Sequence, residues 1–492
     1  MSWLDGALPA RMKRVALVAA DESLRDVLVR VADADAVEIG LAGGEATLAG
    51  EPGAGGEPGA AGEPGAAGEP GAAGEAARRL RHAGRPVTDA VLSASPLDFE
   101  AVEQAGRYDL LAGEAQLQTY ANSSVRRSGV CALAGWIPAD RMAAVTASVA
   151  EVGGAVVPLP YPPGVQPPTL VTGRPLRRSL SPLVQTYGTV PYADVDPVRL
   201  AWVTYVLMFG MMFGDAGEGV VLIAAAAALR VGWPGWARRF RPAWPFVAGA
   251  GVAATAFGLL YGECFGPTGL VPVLWISPLD HALTLLLVAA GFGAVMLAGA
   301  YALGTVNRWR EGGWSSALYA SSGVAGTMVF LGVGVMAGGW YFHHGLLVAA
   351  GGVLALTGLA LASAGFLAEA GGGGAGRVQA AVEVFDLVVR LGSNVVSFTR
   401  LAAFGLTHAA LGLLVWEGAR ALWHRGGLLA IVAIVVFVAG TALAFSLEAL
   451  VAAIQALRLE YYELFSRVFV TQGRPFRPWH VPTAASRKEE ST

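Results

Sequence analysis

The chain has 492 residues, of which 54% are hydrophobic and only 14% charged. Soluble domains carry roughly 25% charged residues, so this composition excludes a wholly soluble enzyme and a disordered chain. The near-balance of 34 Lys+Arg against 37 Asp+Glu leaves no basic footprint for nucleic acid, and two cysteines, Cys131 and Cys264, supply neither a disulfide framework nor a cysteine zinc site.

Most of the polar sequence precedes residue 195. The start, MSWLDGALPARMKRVALVAADESL, is not read as a signal peptide: its apolar run ends at Asp21 and Glu22 and is too short to span a bilayer. Residues 12–19 (MKRVALVA) predict a buried strand. ESLRDVLVRVADADAVEIG predicts a helix and a second strand. Four hexads follow at 51–74, one EPGAGG and three EPGAAG, whose Pro and Gly oppose helix and core. They read as a flexible tether, and collagen is excluded because Gly does not recur at every third residue. AARRLRHAG reads as a short basic helix or more linker, and FEAVEQAGRYDLLAGEAQLQTYANSSVRRSG as a helix pair. VCALAGWIPADRMAAVTASVAEVGGAVVPLPYP reads as strand, turn, helix and strand, with Asp140 as the helix cap. No phosphate loop, nucleophile elbow or metal spacing occurs, so this α/β or α+β part is expected to dock rather than catalyse. No catalytic residue, cofactor or metal is expected.

Beyond it the text is apolar. A helix needs about 20 apolar residues to cross the hydrocarbon, and spans are predicted near 198–214, 217–230, 244–262, 280–304, 316–340, 345–368, 381–420 and 428–466. The first two are short. Asp215 and Glu218 interrupt them, and a tight GDAGEG turn at the surface costs less than a charged break at mid-membrane. Loop charge supports this hairpin. It puts Arg230, Arg238, Arg239, Arg241, Arg308, Arg310, Arg377 and both termini on one face, and only Arg420 and Arg425 on the other. By the positive-inside rule both termini are cytoplasmic. The chain therefore divides into the start of an N-terminal cytoplasmic domain (1–50), the linker (51–74), the rest of that domain (75–195), a membrane domain (196–470) and a cytoplasmic tail (471–492).

The last two spans run about 40 residues, near 60 Å and twice the hydrocarbon thickness, so they tilt or project. They also carry the ionisable residues. Arg400 lies about 20 residues from either end of its helix, where snorkelling fails and burial costs at least ~2.5–3.5 kcal/mol. Asn394, Ser397 and Thr399 precede it, and His408 follows two turns on, near the same face. On the last span Gln455 and Arg458 share a face, and Glu448 can join them. Arg458 reads equally as half of a structural ion pair, His408 as a satisfied core histidine, and Glu460, Glu463 and Arg467 as a solvated helix end. Glu383, Asp386 and Arg390 either pair on the helix surface or line an aqueous entrance. Together these positions suit two offset half-channels separated by a fixed positive charge.

At these residues the chain resembles the large membrane subunit of V-type rotary ATPases, called a, or I in prokaryotes. SNVVSFTRLAAFGLTHAAL and IQALRLEYYELFSRVFVTQGRPFRPW are similar to that family's last two span signatures, and GWIPAD, PPTL, QTYGTVPYADVDP and FGMMFGDAGEG follow in family order. The resemblance implies a multi-pass α-helical protein of the cell membrane that conducts protons but makes no covalent bond itself. It implies an essential Arg400, a supporting Arg458, an outward half-channel at Glu448, Gln455 and His408, and a cytoplasmic one at Asp386, with Glu383 and Ser397 beside the path. Its implied partners are the proteolipid c-ring, the peripheral-stalk subunits, and the central-stalk and catalytic subunits that carry out ATP chemistry. Two departures stand out. The family's N-terminal domain usually carries a two-helix arm, whereas here about 195 residues precede the membrane part and the repeats sit where arm sequence belongs. Some relatives carry His two residues after the second arginine; here it is Glu460. The alternative is a self-contained secondary transporter, whose sign is paired broken helices in internal repeats; one broken hairpin and no second copy is found. A membrane-anchored scaffold would leave two mid-membrane arginines unexplained.

Overall fold

The computed structural model describes residues 9–40, 71–82, 89–161, 165–170, 191–192, 194–195, 197–370, 373–468 and 473–483. The chain divides into two compact units, one holding 9–172 with 473–492, the other centred on 173–472.

In the first unit β1 (Met12–Ala20) buries Met12, Val15, Leu17 and Ala19. This is mostly the period-two burial of a half-buried strand. α1 (Leu24–Ala34) packs Leu24, Val27, Leu28 and Val31 inward at helical spacing, and β2 (Glu38–Ile39) follows. α2 (Ala72–His82), α3 (Phe99–Gln104) and α4 (Tyr108–Asn122) come next. They are followed by β3 (Val125–Arg127), β4 (Val130–Pro138), α5 (Met142–Ala150) and β5 (Ala155–Pro158). The sheet order is β2-β4-β1-β5 with β3 beside β4, every pair antiparallel. Two interleaved βαβ halves, β1-α1-β2 and β4-α5-β5, give this split arrangement.

Three readings change here. Residues 51–70 of the repeat block lie outside the described residues, but its last hexad is helical from Ala72, because no proline stands between Pro70 and His82 and Ala73, Ala76, Ala77 and Leu80 form a buried stripe. Asp140 does not cap α5. The helix starts from Arg141 without a side-chain cap, and Arg141 instead reaches the Asp35 carbonyl at 2.9 Å. Finally, residues from Gly473 pack into this unit. Thr169 N–H donates to the Arg474 carbonyl at 2.7 Å, Trp479 N–H to the Val37 carbonyl at 2.9 Å, and Leu92 N–H to the Pro482 carbonyl at 3.0 Å. Trp479 and Val481 join the core beside Tyr120, whose ring lies 4.6 Å from that of Trp479. Glu38 accepts from the Arg477 amide and pairs with Arg474, each at 2.8 Å. Burial nonetheless holds its carboxyl above the usual range, outweighing both partners.

The second unit is helical: α6 (Val198–Met212), α7 (Ala216–Val231), a 3-10 segment (Gly235–Ala243) and α8 (Trp244–Tyr261). There follow α9 (Ala282–Tyr319), α10 (Val324–Tyr341), α11 (Gly345–Glu369), α12 (Gly373–Ser397), α13 (Thr399–Trp423) and α14 (Leu428–Leu459). Each predicted span falls largely on helix, although that at 316–340 crosses the turn at 320–323 between α9 and α10. Among the described residues, six segments are long and apolar enough to cross a membrane. α6 and α7, at 15 and 16 residues, are shorter. At 1.5 Å per residue each covers about 22–24 Å, less than the ~30 Å of hydrocarbon. The long seventh span is not one helix: it breaks at Phe398, between α12 and α13. α14 passes into a π-helical turn, Glu460–Phe465.

Candidate functional site

Arg400 lies in the first turn of α13, not in mid-helix. At the break Phe398 N–H bonds to the Val395 carbonyl at 3.1 Å and Leu401 N–H to the Phe398 carbonyl at 3.0 Å. Both are tight i→i−3 bonds of the kind found at helix ends. Leu401 would otherwise serve the Ser397 carbonyl. Arg400 Nε donates to that oxygen instead, at 3.0 Å. The arginine is thus anchored by a backbone group that the break sets free.

Its other end faces Glu463, with Nη2 3.6 Å from Oε1. The Glu463 side chain is 10% exposed and that of Arg400 28%. With its amide oriented so that donors meet acceptors, Asn394 donates to Glu463 Oε2 at 2.8 Å and to the Arg390 carbonyl at 3.1 Å, and accepts from Arg467 Nη2 at 2.8 Å. Arg467 also stands over the Tyr301 ring, 5.6 Å from its centroid. The π-turn brings this about. Its wider winding buries Glu460, Glu463, Leu464 and Phe465. Glu460, Glu463 and Arg467 are therefore not a solvated helix end. Glu460 accepts from Thr204 Oγ1 of α6 at 2.7 Å and lines a cavity of about 60 Å³ with Pro197, Val295 and Met296.

Eight residues further along α13, His408 is the focus of a second centre. Its Nδ1 is hydrogen-bonded to Glu448 Oε2 of α14, and its Nε2 lies 3.9 Å from Glu218 Oε2 of α7. Ligand-capable atoms of Asp215, Glu263 and His408 all lie within 4.8 Å of one another. The Phe213 ring packs beside the imidazole at 4.9 Å. Asp215 is the N-cap of α7 and accepts from the amides of Glu218, Phe265 and Gly266 at 2.9, 2.9 and 2.8 Å. Asp215 and Glu218 are 0% and 3% exposed, so the GDAGEG turn is buried and not a surface turn. The short α6 and α7 explain this: an apex that stops within hydrocarbon depth must be covered by protein. The loop after α8 covers it. Gly258 lies against the apex so closely that a Cβ there would come within 2.1 Å of the Ala216 nitrogen.

The sequence put Arg400 with His408 on one helix face and Glu448 with Gln455 and Arg458 on another, and the structure groups them differently, in two centres. Glu448 joins His408, and Arg400 joins Glu463. Arg458 is exposed and has no ion pair among the described residues. Gln455 is half-buried, and its Oε1 lacks a hydrogen-bond partner. Asp386 pairs with Arg390 within α12, and Glu383 accepts from Gln379 at 3.1 Å. Neither reaches Arg400. Ser397 contributes its carbonyl. Sequence reasoning missed Glu263, although a lone carboxylate in the apolar run LLYGECFG was a readable signal. It also left Glu218 at a surface turn, where only tertiary packing could move it.

The fold and these centres define a class: a helical protein with several segments long and apolar enough to cross a membrane and charged side chains gathered on facing helices. Residues 117–239 match the model of the V-type ATPase 116kDa subunit family. The chain is similar to the A-type ATP synthase subunit I of Pyrococcus horikoshii, with 24% identity over 400 residues, covering 78% of this chain and 59% of the relative. It is also similar to that of Aeropyrum pernix, with 25% identity over 349 residues, covering 61% and 50%. Over 102 residues it is 33% identical to the vacuolar proton translocating ATPase 100 kDa subunit of Dictyostelium discoideum, covering 19% and 12%. The chain spans 59% and 50% of the length of the two archaeal relatives. These matches support a likeness to the V-type ATPase subunit a/I family.

Proposed function

We propose that the chain is the stationary, ion-conducting subunit of a V-type rotary ATPase or ATP synthase, and that the ion is the proton. On this reading it lies in the cell membrane with both termini cytoplasmic. It works against a proteolipid ring and is held by peripheral-stalk subunits. Central-stalk and catalytic subunits carry the ATP chemistry.

The observation that carries the reading is the separation along α13. A partly open guanidinium is fixed at one point, and a buried imidazole among carboxylates lies about 12 Å further on. A guanidinium keeps its charge at any physiological pH. A ring carboxylate is therefore favoured beside it only when ionised, and a proton cannot pass straight through. The imidazole and Glu448, directly hydrogen-bonded, are suited to passing protons. One half-channel would run through His408, Glu448 and Gln455, the other past Asp386 and Glu383. The face offered to the ring would include Leu443, Leu447, Leu450 and Ile454, all exposed. Spaced four, three and four residues apart, they form one helical stripe that leads to Arg458.

The test is ATP-driven proton uptake in inverted membrane vesicles carrying Arg400→Gln, with recovery of the whole complex as control. Loss of uptake in an assembled complex is expected. Normal uptake would make Arg400 structural and end the reading.

A further inference from the structure

Four carboxylates approach His408, and two of them, Glu448 and Asp215, have hydrogen bonds of their own. Glu448 holds Nδ1. Asp215 is occupied by three backbone amides. Glu263 follows α8 and is placed by its backbone, the amide bonded to the Gly258 carbonyl and the carbonyl to the Ala216 amide, both at 2.9 Å. Glu218 differs. It is 3% exposed, and its Oε2 is buried without a hydrogen-bond partner. An ionisable oxygen left unpaired in such a place is costly and calls for a reason.

The geometry supplies one. Glu218 Oε2 lies 3.9 Å from His408 Nε2, too far for a direct hydrogen bond and suited to a bridge through one water. Glu218, His408 and Glu448 line one cavity of about 10 Å³, closed by Gly266, Gly412 and Thr441. That is about the space one water needs, and polar partners surround it. The imidazole therefore has a carboxylate on each nitrogen, each from a different helix.

We infer that Glu218 is the second proton terminal of His408, a role that rests on the ion-path reading above. A proton leaves the carboxyl of Glu448, breaking its O–H bond as the Nδ1–H bond forms. The Nε2–H bond breaks, its proton passes to the bridging water, and that water gives up another proton to the Glu218 carboxylate. One proton moves, no electron is transferred, and the imidazole ends as the other tautomer. The reverse sequence runs the path backwards. The proton's route thus continues from α13 and α14 into the α6–α7 hairpin.

The experiment measures ATP-driven proton uptake by inverted vesicles bearing the complete complex with Glu218→Gln, Glu218→Asp or Arg400→Gln. Glu218→Gln keeps shape and removes the exchangeable proton, so uptake should fall about a hundredfold, the usual worth of a positioned proton carrier. Glu218→Asp should retain at least half of wild-type uptake and show a larger solvent deuterium isotope effect, because its gap to Nε2 is longer. Uptake within twofold of wild type in Glu218→Gln, or Glu218→Asp as inactive as Glu218→Gln, overturns the assignment. Should the Gln complex fail to assemble, an unchanged isotope effect in the Asp complex overturns it. Loss of uptake in Arg400→Gln alone refutes Glu218 and leaves the rotary reading standing. Normal uptake in both Arg400→Gln and Glu218→Gln refutes the rotary reading itself.

Discussion

The two centres on α13 are two turns apart and opposite in composition. At Arg400, Glu463 faces the guanidinium and accepts from the Asn394 amide, which in turn accepts from Arg467, and the contacts tie each cation to a fixed acceptor. At His408, four carboxylates surround one imidazole. The first arrangement immobilises charge that cannot be neutralised. The second gathers groups that gain and lose protons, at a spacing that one water can bridge. The contrast teaches that burial alone does not say what a charged group can do: what matters is whether the buried groups can exchange what they carry.

The largest expected effect comes from removing the shared acceptor. Glu463→Gln leaves Arg400 without its carboxylate and weakens the acceptor of Asn394, which holds Arg467, and breaking a buried pair costs about 3 kcal/mol or more. Thermal unfolding of the purified chain should show this, and Arg467→Gln added to it should recover part of the loss through coupling. Strict additivity of the two substitutions would show that the network is not one unit. Next comes Gly258→Ala. Its new Cβ would press into the backbone of Ala216 and Asp215, within 2.1 and 2.4 Å. A cost of about 2 kcal/mol is expected from overpacking, together with reduced proton uptake as the hairpin apex shifts from His408. If unfolding temperature and uptake both match wild type, the apex does not hold the carboxylate centre in place. The smallest effect belongs to Gly412→Ala, where the new Cβ would meet the Cα of Gly266 at 2.9 Å. About 1 kcal/mol is expected. A loss in stability larger than that of Gly258→Ala would reverse the ranking of the two contacts.

Hydropathy and periodicity made most elements readable. β1, α1, β4, α5 and β5 follow from alternation and helical spacing, and the long helices from apolar runs. Arg400, His408 and Glu448 were readable because charge in such runs is expensive. What was not readable depends on partners distant in sequence. The break at Phe398 follows no Pro or Gly, and the π-turn in EYYELF has no sequence mark of its own. The Arg400–Glu463 pair needs both features at once. The segment RPFRPWHVP has neither period nor cap, so its prolines read as a tail. Its place in the sheet unit is set by the Val37 carbonyl and the Tyr120 ring, more than 350 residues earlier in the sequence.

That last feature bears on how the protein is made. β1 leaves the ribosome long before Trp479 and Val481, yet the core it belongs to includes both. At about 5–20 residues per second, some 15–60 seconds separate the end of β5 from Trp479. During that interval the helices of the second unit are translated while the first unit remains unfinished. A chain stopped anywhere among those helices leaves its N-terminal core open to proteases, so completion of the sheet unit reports that the whole helical part has been made.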